Sequence, residues 1–464
     1  MHNLGRATQY ACVGFLIGVC VAGFVAIQPL YLIIGAAVFA CLGICSRPLW
    51  IRRISVFAVS LSIGAICLQA RSSQSVWLQY VGQSYQGIAV VTSEQEEYGR
   101  FNSFSARPDG FSNNIKVSFI GTTEVTYGAT IFLSGVVSHS QGRFIELRAQ
   151  RVLVLSRKCN LSSCWYMQPL VSLRNMTKKQ LVQNVGELGT VAYSLLFGGS
   201  SGINPDIIQV FRVTGLSHVL AVSGYNISII LTALVFIRRS WGKRALVILS
   251  VTLVIYCALS GFSASVVRAT CMGVVYLIGA GIGRMYLAGH ALLLAACVMV
   301  FVSPEIILFN PSFQFSFIAS AGIILLAPVV LSGLWCIPKK LKKLKLQIAT
   351  SLSAVLATIP LQIYLFSGFS LIAVPANLVM FMVIPLLMLL ALLSSLPFIG
   401  VWFGYLFSEL FALCVWVLHL FGQIPNAYLP ISISSYLTLV AYILLLLFWL
   451  LHKDSSDESN TPTV

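Results

Sequence analysis

Arg212-Val-Thr-Gly-Leu-Ser-His-Val-Leu-Ala-Val-Ser-Gly-Tyr-Asn-Ile-Ser-Ile-Ile-Leu-Thr-Ala-Leu-Val-Phe-Ile237 is hydrophobic enough to cross a bilayer, yet it carries His218, Ser223, Asn226 and Ser228. A helix that met only lipid would be apolar throughout. Polar groups at bilayer depth are costly unless they face protein or water, so this stretch predicts a spanning helix that borders a pathway or a site. At helical spacing Gly215, His218, Ser223 and Asn226 fall within roughly 140° of arc, and Ser228 lies off that face.

The rest of the chain agrees with a membrane class. Of 464 residues, 58% are hydrophobic and 9% charged, and several apolar runs reach the ~20 residues a spanning helix needs. The first run, about 10–27, follows a single Arg6 and resembles a secretory signal. A second run begins after a tiny loop with no cleavage site between them, so both are read as retained helices. The fold class is a polytopic α-helical membrane protein with about twelve spans. These lie at about 10–27, 30–45, 54–70, 212–237, 245–261, 264–282, 285–303, 313–332, 347–366, 372–396, 402–421 and 433–451.

Alternating those spans puts Arg47, Arg52 and Arg53, then Arg238 to Arg244, Arg284, the Lys339–Lys345 cluster and the C-terminal tail on one face. The short loops on the other face, 304–311 and 423–430, hold no lysine or arginine. The formal charge of +16 is thus mostly the positive-inside rule, and it argues only weakly for a nucleic-acid partner. Both termini are expected in the cytoplasm, with the chain in the cytoplasmic (inner) membrane.

Hydrophobicity drops between 72 and 165, on the outer face, and the pattern changes to period two. Five short strands are expected at 87–92, 100–104, 114–120, 131–137 and 143–155, separated by Gly, Asn, Asp and Ser. Five strands in so short a domain fit a small barrel of the OB type. Arg100, Lys116, Arg143 and Arg148 lie among Phe101, Phe104, Phe119, Phe132 and Phe144, a mixture that can track a single strand or simply build a core. Cys159 and Cys164 fall in the polar loop that follows, where either a local disulfide or two thiols fit an oxidising compartment. The other ten of the twelve cysteines lie in or beside spans and read as small buried hydrophobes.

The organisation is then a three-helix segment (1–71), the outer β domain (72–165), an amphipathic helix and linker (166–211), the membrane core (212–452) and a disordered cytoplasmic tail (453–464). Leu170, Leu173, Leu181, Val185, Leu188, Val191 and Leu195 form one side of the amphipathic helix, and Arg174, Lys178 and Lys179 lie largely opposite. A helix of this kind suits the membrane interface or the barrel surface.

Polar positions in the core include Ser265, Arg268, Gln314 and Asn377, several beside small residues or helix breakers. Broken helices at membrane depth occur where they are buried in protein or line water. Arg268 either pairs with a carbonyl or acid, or presents its charge to an anionic cargo. Catalysis has little support. His218 and Ser223 are five apart, awkward for a hydrogen bond on one helix, and no acid lies near to orient the imidazole. The sequence holds no His-Glu-x-x-His or Walker A motif. No enzyme activity, metal or cofactor is expected.

Gly215-Leu-Ser-His-Val-Leu-Ala-Val-Ser-Gly-Tyr-Asn-Ile227 closely resembles the signature helix of the ComEC family, the membrane channel of bacterial competence. Three further stretches resemble that family in the expected order: Gly261-Phe-Ser-Ala-Ser-Val-Val-Arg-Ala-Thr-Cys-Met272, Asn310-Pro-Ser-Phe-Gln-Phe-Ser-Phe317, and Ile359-Pro-Leu-Gln-Ile-Tyr-Leu-Phe-Ser-Gly-Phe369 running on to Asn377. The resemblance implies transport of single-stranded DNA across the cytoplasmic membrane in natural transformation. His218, Ser223, Asn226, Ser265, Arg268, Gln314 and Asn377 are then candidate channel-lining or pore-shaping residues. A transporter for a small or lipid-linked anionic solute is the rival reading.

Asn226 stands where the common form of the signature has a second histidine. The chain ends after the membrane core, so the expectation is a short form without the metallo-β-lactamase-like domain of many relatives. It would work in membrane lipid beside a surface DNA receptor, a cytoplasmic helicase-like ATPase and a separate nuclease. A homo-oligomer is compatible with the sequence.

Overall fold

The computed structural model describes residues 2–24, 29–45, 48–71, 80–92, 96–98, 101–111, 114–120, 123, 125, 128–140, 144–156, 164–199, 202–220, 224–238, 242–304, 306–334, 338, 341–425 and 427–458. It divides into two compact units. One is Met1–Leu173 with Leu293–Phe313, and the other is Arg174–Leu292 with Gln314–Val464.

The first unit opens with three helices, α1 (His2–Phe24), α2 (Pro29–Cys45) and α3 (Leu49–Arg71). Helices α1 and α3 pack backbone to backbone. Gly14 and Gly18 face the carbonyls of Phe57 and Leu61, and Gly64 faces that of Phe15, with no space for a Cβ at any of the three. Small residues spaced by four let apolar helices approach this closely where there is no hydrophobic drive between them. Cys12 and Cys297 meet in this unit, the Cys297 thiol lying 3.6 Å from the Cys12 carbonyl oxygen. The eight cysteines whose side chains are described are free.

The β domain forms from β1 (Ser84–Val91), β2 (Glu96–Tyr98), β3 (Phe101–Pro108), β4 (Ile115–Ile120), β5 (Thr130–Ser140) and β6 (Phe144–Ser156). The five longer strands lie where the period-two pattern put them. The sheet runs β1-β5-β6-β4-β3 and closes through a β1–β3 pairing, so the five make a barrel. Every pair is antiparallel except β4–β6, where Lys116 aligns with Glu146 and Ser118 with Arg148. Alternate residues Ile131, Leu133 and Val137 of β5 point inward with Val117 and Leu147. A register shift between Ser134 and Gly135 lets β5 bend against the Arg148 carbonyl.

The second unit is helical. It includes most of α4 (Cys164–Val185), then α5 (Gly189–Phe197), α6 (Pro205–Val213), α7 (Ser217–Leu220), α8 (Gly224–Arg238), α9 (Gly242–Leu259) and α10 (Ala264–Gly281). Helices α11 (Ala288–Val302) and α12 (Ile306–Phe309) lie mainly in the first unit. The rest are α13 (Pro311–Gly333), α14 (Lys342–Phe366), α15 (Ala373–Ser394), α16 (Gly400–Gly422) and α17 (Ser435–Glu458). A two-residue ladder, β7 (Phe369–Ser370) with β8 (Tyr428–Leu429), ties the loop before α15 to the loop after α16.

Among the described residues six helices are long and apolar enough to cross a membrane: α10, α13, α14, α15, α16 and the Ser435–His452 part of α17. Five shorter apolar helices lie on five more of the expected twelve spans. The remaining expected span, 212–237, is not one helix. Two further expectations need correction. The amphipathic helix is cut at Gly186, whose φ of +73° suits glycine, and its second half is buried core rather than a helix at the interface or on the barrel. Helix α17 runs on to Glu458, so 453–458 is helical: a nucleated helix propagates through residues that hold no Gly or Pro.

The apolar core of the second unit joins Leu181, Leu195 and Phe211 to Met380, Leu387, Phe407 and Phe411. Phe407 and Phe411 stack on each other at 5.9 Å, and Phe211 stacks on Phe411 at 6.2 Å. Trp402 and Tyr405 stand exposed near one end of α16, as interfacial aromatics do.

Candidate functional site

The break in the 212–237 stretch comes from local chemistry. Asn204 caps α6 at its start by accepting from the Asp206 amide (2.9 Å), with Pro205 at the first helical position. At the other end Gly215 adopts φ +75°. Its amide donates to the Arg212 carbonyl (3.1 Å), and the Leu216 amide donates to Phe211 (2.7 Å). That pair of bonds is the Schellman stop, completed by the buried Phe211 and Leu216 side chains. A Cβ on Gly215 would lie 2.8 Å from that of Ala373, so α15 closes the bend.

The polar residues expected on one helical face therefore separate. His218 lies exposed in the single turn of α7, between the break and the buried Val219 and Leu220. Ser223 lies outside the described residues. Asn226 is buried, and its amide donates to the Leu195 carbonyl (2.9 Å). The Tyr256 hydroxyl donates to Leu196 (2.7 Å), and Ser194 donates to Leu220 (2.5 Å). Leu195 and Leu196 stand in the last turn of α5, where carbonyls have no helical partner. Asn226 thus stitches α8 to the end of α5.

Arg268 is where three of the four family-like stretches meet. It stands one turn into α10, after the left-handed pair Gly261 (φ +72°) and Phe262 (φ +54°). Its guanidinium donates to the Ser316 carbonyl and sits 6.0 Å from the Phe317 ring centre, both on α13. Across from it, Gly224 opens α8: a Cβ there would stand 2.5 Å from the Arg268 Nη2 and 3.4 Å from the Ala269 Cβ. Gly224 is a site residue that sequence reading missed, because a glycine inside a polar-spotted helix looks like one more small residue.

Among the described residues Arg268 has no acid partner, and the one ion pair is Arg148–Glu146. Its Nε and the hydroxyls of Ser263 and Ser316 are buried without a partner among the described residues. The guanidinium thus pairs with a carbonyl, which is the first of the two expectations for Arg268. Ser265 is half-buried in the first turn of α10, and Gln314 is half-buried in the first turn of α13, the helix capped by Asn310 through the Phe313 amide (3.0 Å).

Asn377 belongs to a different place. Its amide donates to Ser351 (2.9 Å), and the two line a cleft of about 120 Å³ with Gln347, Thr350, Ile323 and Phe381. Lys342, Lys343 and Lys345 lie at the start of the same helix. The chain thus places Arg268 at one polar position and an amide-and-hydroxyl cleft near a lysine cluster at another.

In the barrel, Lys116 and Arg148 are exposed on adjoining strands, and Arg148 pairs with Glu146 at 3.1 Å. Phe104 and Phe119 form an edge-on pair at 5.8 Å inside the core, so neither serves as a stacking platform. Arg100, Arg143 and Cys159 lie outside the described residues, as does the side chain of Cys164.

Residues 195–455, more than half of the chain, match the competence protein family. The chain belongs to the competence protein family. The match takes in Asn226, Arg268, Ser316 and Asn377, and with them the whole Arg268 cluster and the polar cleft. This competence protein is similar to ComE operon protein 3 of Bacillus subtilis (strain 168), 29% identical over 273 residues. The similar stretch covers 55% of this chain and 34% of that relative, so it spans about a third of the relative's length.

Proposed function

We propose that the protein is a polytopic membrane channel that passes single-stranded DNA across the cytoplasmic membrane during natural transformation. Membership of the competence family supports a part in DNA uptake, and the Arg268 cluster is the observation that carries the channel reading. A phosphate in hydrocarbon without neutralising groups is prohibitive, and here a half-buried guanidinium with no acid beside it among the described residues stands among residues of three helices. On this reading the twelve crossings put both termini in the cytoplasm, where Lys342, Lys343 and Lys345 would receive the strand by counterion release.

The outer barrel is read as an OB fold: its closed order and the one parallel pair, β4–β6, are the features that favour it. Energy and degradation would come from a helicase-like ATPase and a separate nuclease, after a surface receptor hands over the DNA. The experiment is removal of the gene followed by measurement of labelled DNA in the cytosol. Loss of cytosolic DNA with surface-bound DNA retained is expected. Unchanged cytosolic DNA would leave the anionic-solute transporter as the reading.

A further inference from the structure

Helix α4 is too polar to count as a span, yet its second half lies at the depth of two spans. Leu181 is fully buried in one apolar cluster with Ile384, Leu387, Phe407 and Phe411. Three residues on, the Asn184 amide donates to the carbonyls of Ser394 (2.8 Å) and Leu396 (3.2 Å), in the turn joining α15 to α16. A Cβ on Gly400 or Gly404 would collide with Asn184. Helices α15 and α16 have 22 and 23 residues, so each reaches across a bilayer core. Their opposite ends are joined by the β7–β8 ladder. Asn184 therefore sits at the far end of two spans from that ladder, and the chain reverses there at Gly186 to climb back as α5.

The outward side of this helix is mixed: a polar stripe runs along it, with Leu173, Met176 and Val182 exposed beside the stripe. Asn175, Lys179 and Gln183 recur every four residues, which places them on one face, and all three are exposed. Arg174 donates to the Tyr193 hydroxyl (3.0 Å) and Lys178 lies 5.8 Å over the Tyr193 ring. From Arg174 to Val185 the helix carries three cations and no acid. Lys179 has the reach to extend toward an interface. The short Asn175 amide, about 13 Å along the axis from Asn184, does not. Acyl chains are therefore a poor neighbour for the stripe itself, while the exposed Met176 and Val182 at its edges suit the apolar surroundings. A second copy is a poor neighbour for the stripe too, because a two-fold contact would set lysine against lysine. A hydrated polyanion matches both the polarity and the charge.

We propose that the Asn175–Lys179–Gln183 face of α4 is a wall of the aqueous route through the core, and that Lys179 contacts phosphate there. The identity of the occupant rests on the channel reading, whereas the presence of water at this face does not. The test uses the full chain in cells carrying Asn175→Cys, Lys179→Cys, Gln183→Cys or, as a control on an exposed apolar face, Leu437→Cys. A small charged methanethiosulfonate reagent is applied, and peptide-resolved mass spectrometry separates engineered from native thiols.

Labelling at the three α4 positions but not at 437 is expected, with DNA under uptake slowing the reaction at 179 several-fold. Lys179→Gln should lower cytosolic DNA several-fold and Lys179→Arg should restore most of it. No labelling at any α4 position, or oxidative cross-linking of two copies through all three, overturns the proposal. Labelling that DNA does not slow, together with normal uptake in the deletion strain, refutes the channel reading and leaves the wall standing. Unlabelled α4 with uptake lost in the deletion strain does the reverse.

Discussion

Gly224 and Arg268 hold one another in place, and that makes the glycine the sharper probe of the pair. Gly224→Ala puts a methyl 2.5 Å from Nη2, and the guanidinium must leave the Ser316 carbonyl. Cytosolic DNA in an uptake assay should fall roughly tenfold, which corresponds to about 1.4 kcal/mol, with membrane-inserted protein near its normal level. Gly273→Ala is the control. Its new methyl would meet the Leu253 Cδ1 tip at 3.1 Å, a contact that yields, so uptake should stay near normal. Arg268→Lys keeps the charge but loses the planar group that bonds Ser316 while facing Phe317, and it should recover only part of what Arg268→Gln loses. Asn226 acts differently. Asn226→Ala leaves the Leu195 carbonyl buried and unpaired, at a cost of about 1–3 kcal/mol. A lower Tm in detergent is expected, with uptake falling only as far as the amount of folded protein falls.

Element by element, what could be read in advance follows the physics of each segment. The five strands were legible because alternation is local: Ile131, Leu133 and Val137 face inward wherever the sheet goes. The spans from α10 to α17 were legible because length and apolarity act together. The break at Gly215 was harder to see, since Arg212-Val-Thr-Gly-Leu reads as continuous hydrophobic helix until the Phe211–Leu216 contact is known. The convergence on Arg268 depends on a non-local pairing of α8, α10 and α13 that no periodicity encodes. Helix α4 hid for the opposite reason: its lysines and amides look like a surface helix, and only Gly400 and Gly404 on a distant element reveal where Asn184 docks. Gly404→Ala should therefore separate α4 from α16 at an overpacking cost of about 1–3 kcal/mol. Limited proteolysis of the purified protein should then cut faster near Gly186, and an unchanged cleavage rate would count against the packing described.

For the whole molecule, the proposed channel reading raises the question of which part would limit transport, the barrel or the membrane core. The barrel offers Lys116 and Arg148 as exposed charges, but Arg148 is already paired with the buried Glu146. Two of its phenylalanines, Phe104 and Phe119, are committed to the interior. Its grip on a strand would then be electrostatic and shallow. The core holds its charge out of water, where each phosphate contact weighs more and few alternatives exist. Lys116→Glu combined with Arg148→Glu should accordingly reduce uptake less than Arg268→Gln does, and its effect should shrink as salt rises. Lys116 is exposed and its change should move the Tm little, whereas Arg148→Glu takes the partner from the buried Glu146 and should lower the Tm further. Equal losses from the barrel pair and from Arg268→Gln at physiological salt would place the limiting contact outside the membrane, and the ranking of the two sites would have to be reversed.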